Sequence, residues 1–136
     1  MHKPLILVVE DDTAVRNLIT TTLETHDYRF HIAPTGQAAI VEASSHNPDI
    51  VLLDLGLPDL DGIEVIHKIR TWSNMPIIVI SARSEDTDKI DALDAGADDY
   101  LTTKRLMGIL PETYNHYYGA LRFMYCLLYT SPSPRD

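Results

Sequence analysis

Residues 50–54 read IVLLD, four consecutive apolar side chains that end on the carboxylate of Asp54. A short apolar run of this kind is typical of a strand buried on both faces, as strands are in parallel sheets. Residues 5–9 (LILVV) and 77–80 (IIVI) repeat the pattern. Two further strand signals lie at residues 28–33 and 100–101. The sequence therefore predicts five strands.

Four helices are predicted between these strands, starting at about residues 13, 36, 62 and 85. Asp12 or Thr13 can cap the first helix, and Gly36 follows a threonine that can cap the second. Gly96 ends the fourth helix, as a left-handed glycine does. Strands that alternate with helices at this spacing form a parallel sheet with right-handed crossovers. We therefore predict a doubly wound α/β fold, flavodoxin-like, with the five strands in the order 2-1-3-4-5.

Residues 105–136 do not continue this pattern. The apolar periodicity fails from Arg105 onward, although a fifth helix is expected to cover the last face of the sheet. Two interpretations stand side by side: a poorly ordered or lineage-specific tail, and a reading frame altered after Lys104. We favour the second, because residues 127–136 (LLYTSPSPRD) resemble translated sequencing-adapter read-through. One domain is expected over residues 1–104, followed by an aberrant tail at 105–136 in which the fifth helix is missing.

Composition limits the classes of partner. The net charge is -9, from 11 basic and 20 acidic residues, which argues against binding of nucleic acid or an anionic membrane by this chain itself. A single cysteine, Cys126, excludes an internal disulfide and fits a reducing cytoplasm. The apolar run at residues 5–9 is too short for a signal peptide or a membrane span. Six histidines show no metal-ligand spacing, and no glycine-rich phosphate loop is present.

Acidic residues follow two of the predicted strands. Glu10 and Asp11 come directly after the first strand, and Asp54 closes the third. If the strand order is 2-1-3-4-5, these strands are neighbours at the point where the winding switches, where ligands bind in such sheets. Clustered carboxylates repel one another unless a cation neutralises them, and oxygen ligands suit Mg²⁺. Each feature alone is more often structural, because acidic residues commonly begin helices.

Taken together, the motifs resemble the receiver family of bacterial two-component response regulators. The opening acidic motif is matched by residues 8–12 (VVEDD), the phosphorylation loop by 53–62 (LDLGLPDLDG), and the switch strands by 81–83 (SAR) and 92–101 (ALDAGADDYL). The resemblance covers residues 5 to about 104, roughly three quarters of the chain. Residues 55–59 (LGLPD), 72–73 (WS) and 81–85 (SARSE) look most like the Kdp-type potassium-responsive regulators, which join a receiver to a winged-helix DNA-binding domain.

This resemblance implies a role for each matching residue. Asp54 would accept a phosphoryl group from a histidine kinase. Asp11 would bind Mg²⁺ directly and Glu10 through water, and the carbonyl of Gly56 would complete the metal site. Ser81 would swing toward the phosphoryl oxygens. Two further roles are implied: Tyr100 as the aromatic that moves inward with Ser81, and Lys104 as the partner of the phosphoryl group.

Lys104 departs from the family pattern. It stands one residue later than Kdp-type sequences lead us to expect, and Arg105 replaces the proline that normally follows in a cis bond. Tyr100 and Ser81 also have plainer interpretations, an edge-strand tyrosine and a loop hydroxyl that caps a helix.

The resemblance also implies partners and alternatives. We expect a sensor histidine kinase as partner, dimerisation through the face of the fourth helix and fifth strand, and control of transcription by the full-length protein. We expect no DNA-binding domain within these residues and no enzyme activity. Two alternatives stay open. One is a receiver-like module that is never phosphorylated. The other is an aspartyl-phosphate phosphatase, but such enzymes use an Asp-x-Asp motif whose second aspartate is the general acid, and Gly56 stands at that position here.

Overall fold

The computed structural model describes residues 4–25, 27–82 and 86–102. Strands and helices alternate along this part of the chain: β1 (Leu5–Val9), α1 (Thr13–Thr25), β2 (Arg29–Ala33), α2 (Gly36–His46), β3 (Ile50–Asp54), α3 (Gly62–Arg70), β4 (Ile77–Ser81), α4 (Asp86–Ala95) and β5 (Asp99–Thr102). The strands form one parallel sheet in the order β2-β1-β3-β4-β5. This confirms the predicted fold class and strand order. Lys104 and the tail at residues 105–136, where we expect no regular fifth helix, lie outside the described residues.

Two apolar layers cover the two faces of the sheet, because successive residues of a buried strand point to opposite sides. In β3, Val51 and Leu53 pack into a layer beneath α2, α3 and α4. Their neighbours Ile50 and Leu52 pack into a second layer that contains Ile19 and Leu23 of α1. We refer to these as the α2–α4 layer and the α1 layer. The side chains at positions 50–53 are at most 1% exposed, as the unbroken apolar run predicts.

Side chains and one glycine set the ends of the helices where the sequence indicates. The capping carboxylate or hydroxyl oxygens of Asp12, Thr35 and Asp61 accept backbone N–H bonds in the first turns of α1, α2 and α3. Gly96 ends α4 with a φ of 124°, and the N–H of the next residue, Ala97, bonds back to the carbonyl of Ala92. Within the described ranges no helix is both long and apolar enough to cross a membrane.

Candidate functional site

The carboxyl ends of β1 and β3 bring the predicted acidic residues together. Val9 lies opposite Leu53 in the parallel pairing of these strands. The residues that come next, Glu10 and Asp11 after β1 and Asp54 at the end of β3, therefore meet at one edge of the sheet. One carboxylate oxygen from each lies within 4.8 Å of the other two. Sequence and topology together thus predicted this cluster.

Burial and crowding change the protonation of the cluster. Glu10 is only 5% exposed, and burial raises its pKa to about 8, helped by a hydrogen bond to Asp54 and by the negative charge there. The N–H of Asp12, 3.3 Å from Oε2 of Glu10, acts in the opposite direction and lowers this pKa. Glu10 therefore keeps a proton near neutral pH unless a cation takes the place of that proton.

The donor set fits a hard divalent cation. Three carboxylates supply oxygen atoms alone, with no nitrogen or sulfur among them, and oxygen ligands are those that Mg²⁺ prefers. Burial first, and then the neighbouring carboxylate of Asp54, raise the pKa of Glu10, so a cation bound here would replace the proton that Glu10 otherwise holds.

The cluster lines an open cavity of about 390 Å³. Gly56 forms part of its wall and donates its N–H to Oδ1 of Asp54 at 3.2 Å. Ser81, the last residue of β4, is 1% exposed and also lines the cavity, together with Ala82. The structure therefore gathers five of the seven predicted site residues around one space: Glu10, Asp11, Asp54, Gly56 and Ser81.

Tyr100 lies one strand further away. It is opposite Val79 in the pairing of β4 with β5, and its side chain is buried in the α2–α4 layer rather than lining the cavity. Only 8% of the residue is exposed, so Tyr100 is a buried residue of the strand β5. Lys104, the remaining predicted residue, lies outside the described residues.

Asp59 has a structural role that the sequence did not reveal. Its Oδ1 accepts the N–H of Gly36 at 2.7 Å and its Oδ2 accepts that of Gln37 at 2.9 Å, so it tethers the loop after β3 to the first turn of α2. These backbone bonds, that from Gln37 first, lower the pKa of Asp59. Motif matching placed Asp59 in a loop, but a bond across 23 residues gives no periodic signal in the sequence.

Comparisons with known proteins agree with this geometry. The sequence model of the family described as "Response regulator receiver domain" matches residues 6–107. The KDP operon transcriptional regulatory protein KdpE of Escherichia coli (strain K12) is 55% identical over 97 residues, which are 71% of this chain and 43% of that protein. KdpE of Mycobacterium tuberculosis (strain ATCC 25618 / H37Rv) is 46% identical over 98 residues, 72% of this chain and 43% of that protein. The chain thus spans less than half the length of these curated relatives.

Solved structures show the same fold. The BeF3-activated N-terminal receiver domain of RstA from Klebsiella pneumoniae has a TM-score of 0.70 and is 34% identical, with 73% of this chain and 85% of that chain covered. The receiver domain of the Francisella response regulator 1452 has a TM-score of 0.71 and is 33% identical, with 76% and 86% covered.

Proposed function

Because the chain belongs to the response regulator receiver domain family, we propose that Asp54 is its phosphoacceptor and that Glu10 and Asp11 help to hold Mg²⁺ beside it. One observation carries the proposal: the carboxylate that ends β3 lies within 4.8 Å of the two that follow β1, in an open cavity. The donor is a phosphohistidine on a sensor kinase. The product is an aspartyl phosphate on Asp54.

The transfer is a substitution at phosphorus. A carboxylate oxygen of Asp54 forms the new P–O bond while the P–N bond of the phosphohistidine breaks, and the kinase imidazole keeps the electron pair and takes up a proton. Asp54 has to be ionised to attack. The N–H of Gly56 donates to its Oδ1 and orients the carboxylate. The chemistry that Mg²⁺ supplies when bound is neutralisation of the negative charge on carboxylate and phosphoryl oxygens. Asp11, Asp54 and the Gly56 carbonyl would be its direct protein ligands, and Glu10 would hold it through water.

The signal would leave the site through β4 and β5. Ser81 lines the cavity from the end of β4, so its hydroxyl is within reach of a group that occupies the cavity. A phosphoryl group that accepts a hydrogen bond from this hydroxyl would hold Ser81 in one position. Tyr100, on the neighbouring strand β5, would move in response. Lys104 would pair with the phosphoryl group. The full-length protein would then regulate transcription in the cytoplasm, as a dimer formed through α4 and β5.

The test is the intact mass of the purified chain after incubation with acetyl phosphate and Mg²⁺. We expect a gain of about 80 Da, the mass of one phosphoryl group, that requires Mg²⁺. Asp54→Asn should abolish the gain. Asp61→Asn is the matched control, because Asp61 is an exposed carboxylate in the same loop and asparagine caps a helix as well as aspartate does.

Three results would overturn the proposal. A gain that persists in Asp54→Asn would place the phosphoryl group on another residue. No gain in a wild-type chain shown by circular dichroism to be folded would favour the module that is never phosphorylated. Rapid release of inorganic phosphate from acetyl phosphate without accumulation of the adduct would instead indicate a phosphatase.

A further inference from the structure

A second cluster of metal-ligating side chains lies between the strand β2 and the helix α2. His31 comes from β2, and Glu42 and His46 are one turn apart on α2. Nδ1 of His46 is 2.9 Å from Oε2 of Glu42, and Nδ1 of His31 is 3.8 Å from the same oxygen. One ligand atom from each of the three residues lies within 4.8 Å of the others.

The central oxygen of this cluster is poorly satisfied. Oε2 of Glu42 is buried and has no hydrogen-bond partner in the part of the chain that the structure describes, although both Nδ1 atoms are near it. The two imidazole rings are also close, with centroids 4.3 Å apart and planes tilted by 33°. A buried acceptor without a partner costs free energy, so the arrangement favours a positively charged group among these three atoms.

The distances suit a tetrahedral metal ion. Bonds of about 2.0–2.2 Å from zinc to histidine nitrogen and carboxylate oxygen place neighbouring ligand atoms roughly 3.4 Å apart. The observed contacts of 2.9 and 3.8 Å lie on either side of that value, so small rotations of the side chains bring the three atoms into position. The side chains of the two histidines are 42% and 44% exposed, which leaves a route for the ion and room for a water ligand.

We propose that His31, Glu42 and His46 form a surface site for a borderline divalent cation such as Zn²⁺, bound through the two Nδ1 atoms and a Glu42 carboxylate oxygen. Imidazole nitrogen selects such ions over Mg²⁺, which prefers oxygen. The site is therefore distinct in its chemistry from the acidic cluster at Asp54, and it does not depend on phosphorylation. Because its ligands come from β2 and α2, bound metal would hold the edge strand to its helix.

The experiment is a Zn²⁺ titration of the full chain in excess Mg²⁺, which keeps the acidic cluster occupied, at about pH 7.5, where an ordinary imidazole is mostly neutral. Binding is measured by competition with a chromogenic chelator. We expect the double variant His31→Gln/His46→Gln to lose one equivalent of Zn²⁺. Glu42→Gln should weaken binding at that equivalent by at least about tenfold. His67→Gln is the matched control, because His67 is an exposed histidine on α3 outside the cluster.

Zinc bound elsewhere, for example at Cys126 or His116, is common to all these variants and cancels in the comparison. Side-chain ¹⁵N NMR gives the second readout: Zn²⁺ should shift the Nδ1 resonances of His31 and His46 and leave those of His67 unchanged. The site is refuted if the double variant binds as many equivalents with the same affinity, or if the shifts fall on Nε2. Acetyl phosphate labelling of Asp54 should be the same in all four proteins, so a failure here is separate from a failure of the proposed function.

Discussion

Glu10 shows how one residue can couple stability to pH at this site. Burial beside Asp54 raises the pKa of Glu10 to about 8, from 4.5 in an unstructured chain. The folded state thus holds a proton that the unfolded state has already lost above about pH 5. In buffer with EDTA, we expect the free energy of unfolding of the wild type to fall as pH rises from about 5 to about 8. Urea denaturation across this range measures the fall.

Replacement of this one carboxyl group tests the cause. Glu10→Gln keeps the shape but cannot ionise, so the fall in stability with pH should become much shallower. Glu64→Gln on the exposed surface of α3 is the control and should follow the wild type. Mg²⁺ should also flatten the wild-type profile, because the cation stabilises the ionised carboxylates. An equally steep fall in Glu10→Gln would assign the pH dependence to other groups.

At the scale of elements, the contact between α3 and the end of β3 is unusually close. A Cβ atom added to Gly62, the first residue of α3, would lie 2.7 Å from Cα of Leu55 and 2.9 Å from the carbonyl oxygen of Asp54. Both atoms belong to the backbone and cannot rotate away. We therefore expect Gly62→Ala to lower the free energy of unfolding by about 1–3 kcal/mol, the usual cost of overpacking, as measured by urea denaturation.

Gly56 provides the comparison for that substitution. A Cβ atom there would meet nothing nearer than the carboxylate oxygens of Asp54 at 3.9 Å. Gly56→Ala should therefore be much less destabilising than Gly62→Ala, although both positions lie in the same connection. Equal losses in the two variants would show that the glycines matter through their backbone freedom and not through the space around them.

The elements also show which part of the structure could be predicted from sequence. The apolar runs of β1 and β3 predicted both strands to the residue, because each run is short and begins and ends sharply at proline or acidic residues. Contacts between distant elements gave no such signal. The spacing of the histidines predicted no metal site, because only the packing of α2 on β2 brings His31 together with Glu42 and His46. The same holds for the tether from Asp59 to α2.

At the scale of the whole molecule, the protection of backbone amides against hydrogen exchange should decrease from the centre of the sheet toward β2. The central strand β3 pairs with β1 and β4 and lies between the α1 layer and the α2–α4 layer. β2 pairs with β1 alone among the described strands, and its Arg29 and Ile32 are exposed. In hydrogen exchange measured by mass spectrometry, we expect amides of β3 to exchange only by global unfolding and those of β2 by faster local opening.

Zinc offers an internal check on this expectation. If the ion bridges β2 and α2 as proposed, saturation with Zn²⁺ should slow exchange in β2 and leave β3 unchanged. Equal protection of β2 and β3 in the absence of metal would contradict the expected gradient.

The pairing of β1 with β3 has a consequence for protein synthesis. Glu10 and Asp54 are 44 positions apart in the sequence and come within reach of each other only when the two strands are aligned. A growing polypeptide on the ribosome that has already exposed Asp54 but has not yet aligned its strands has no acidic cavity in which to accept phosphate. If Asp54 is the phosphoacceptor as proposed, its labelling would therefore report on maturation of the fold as well as on the stimulus, and an incompletely folded copy would not be phosphorylated.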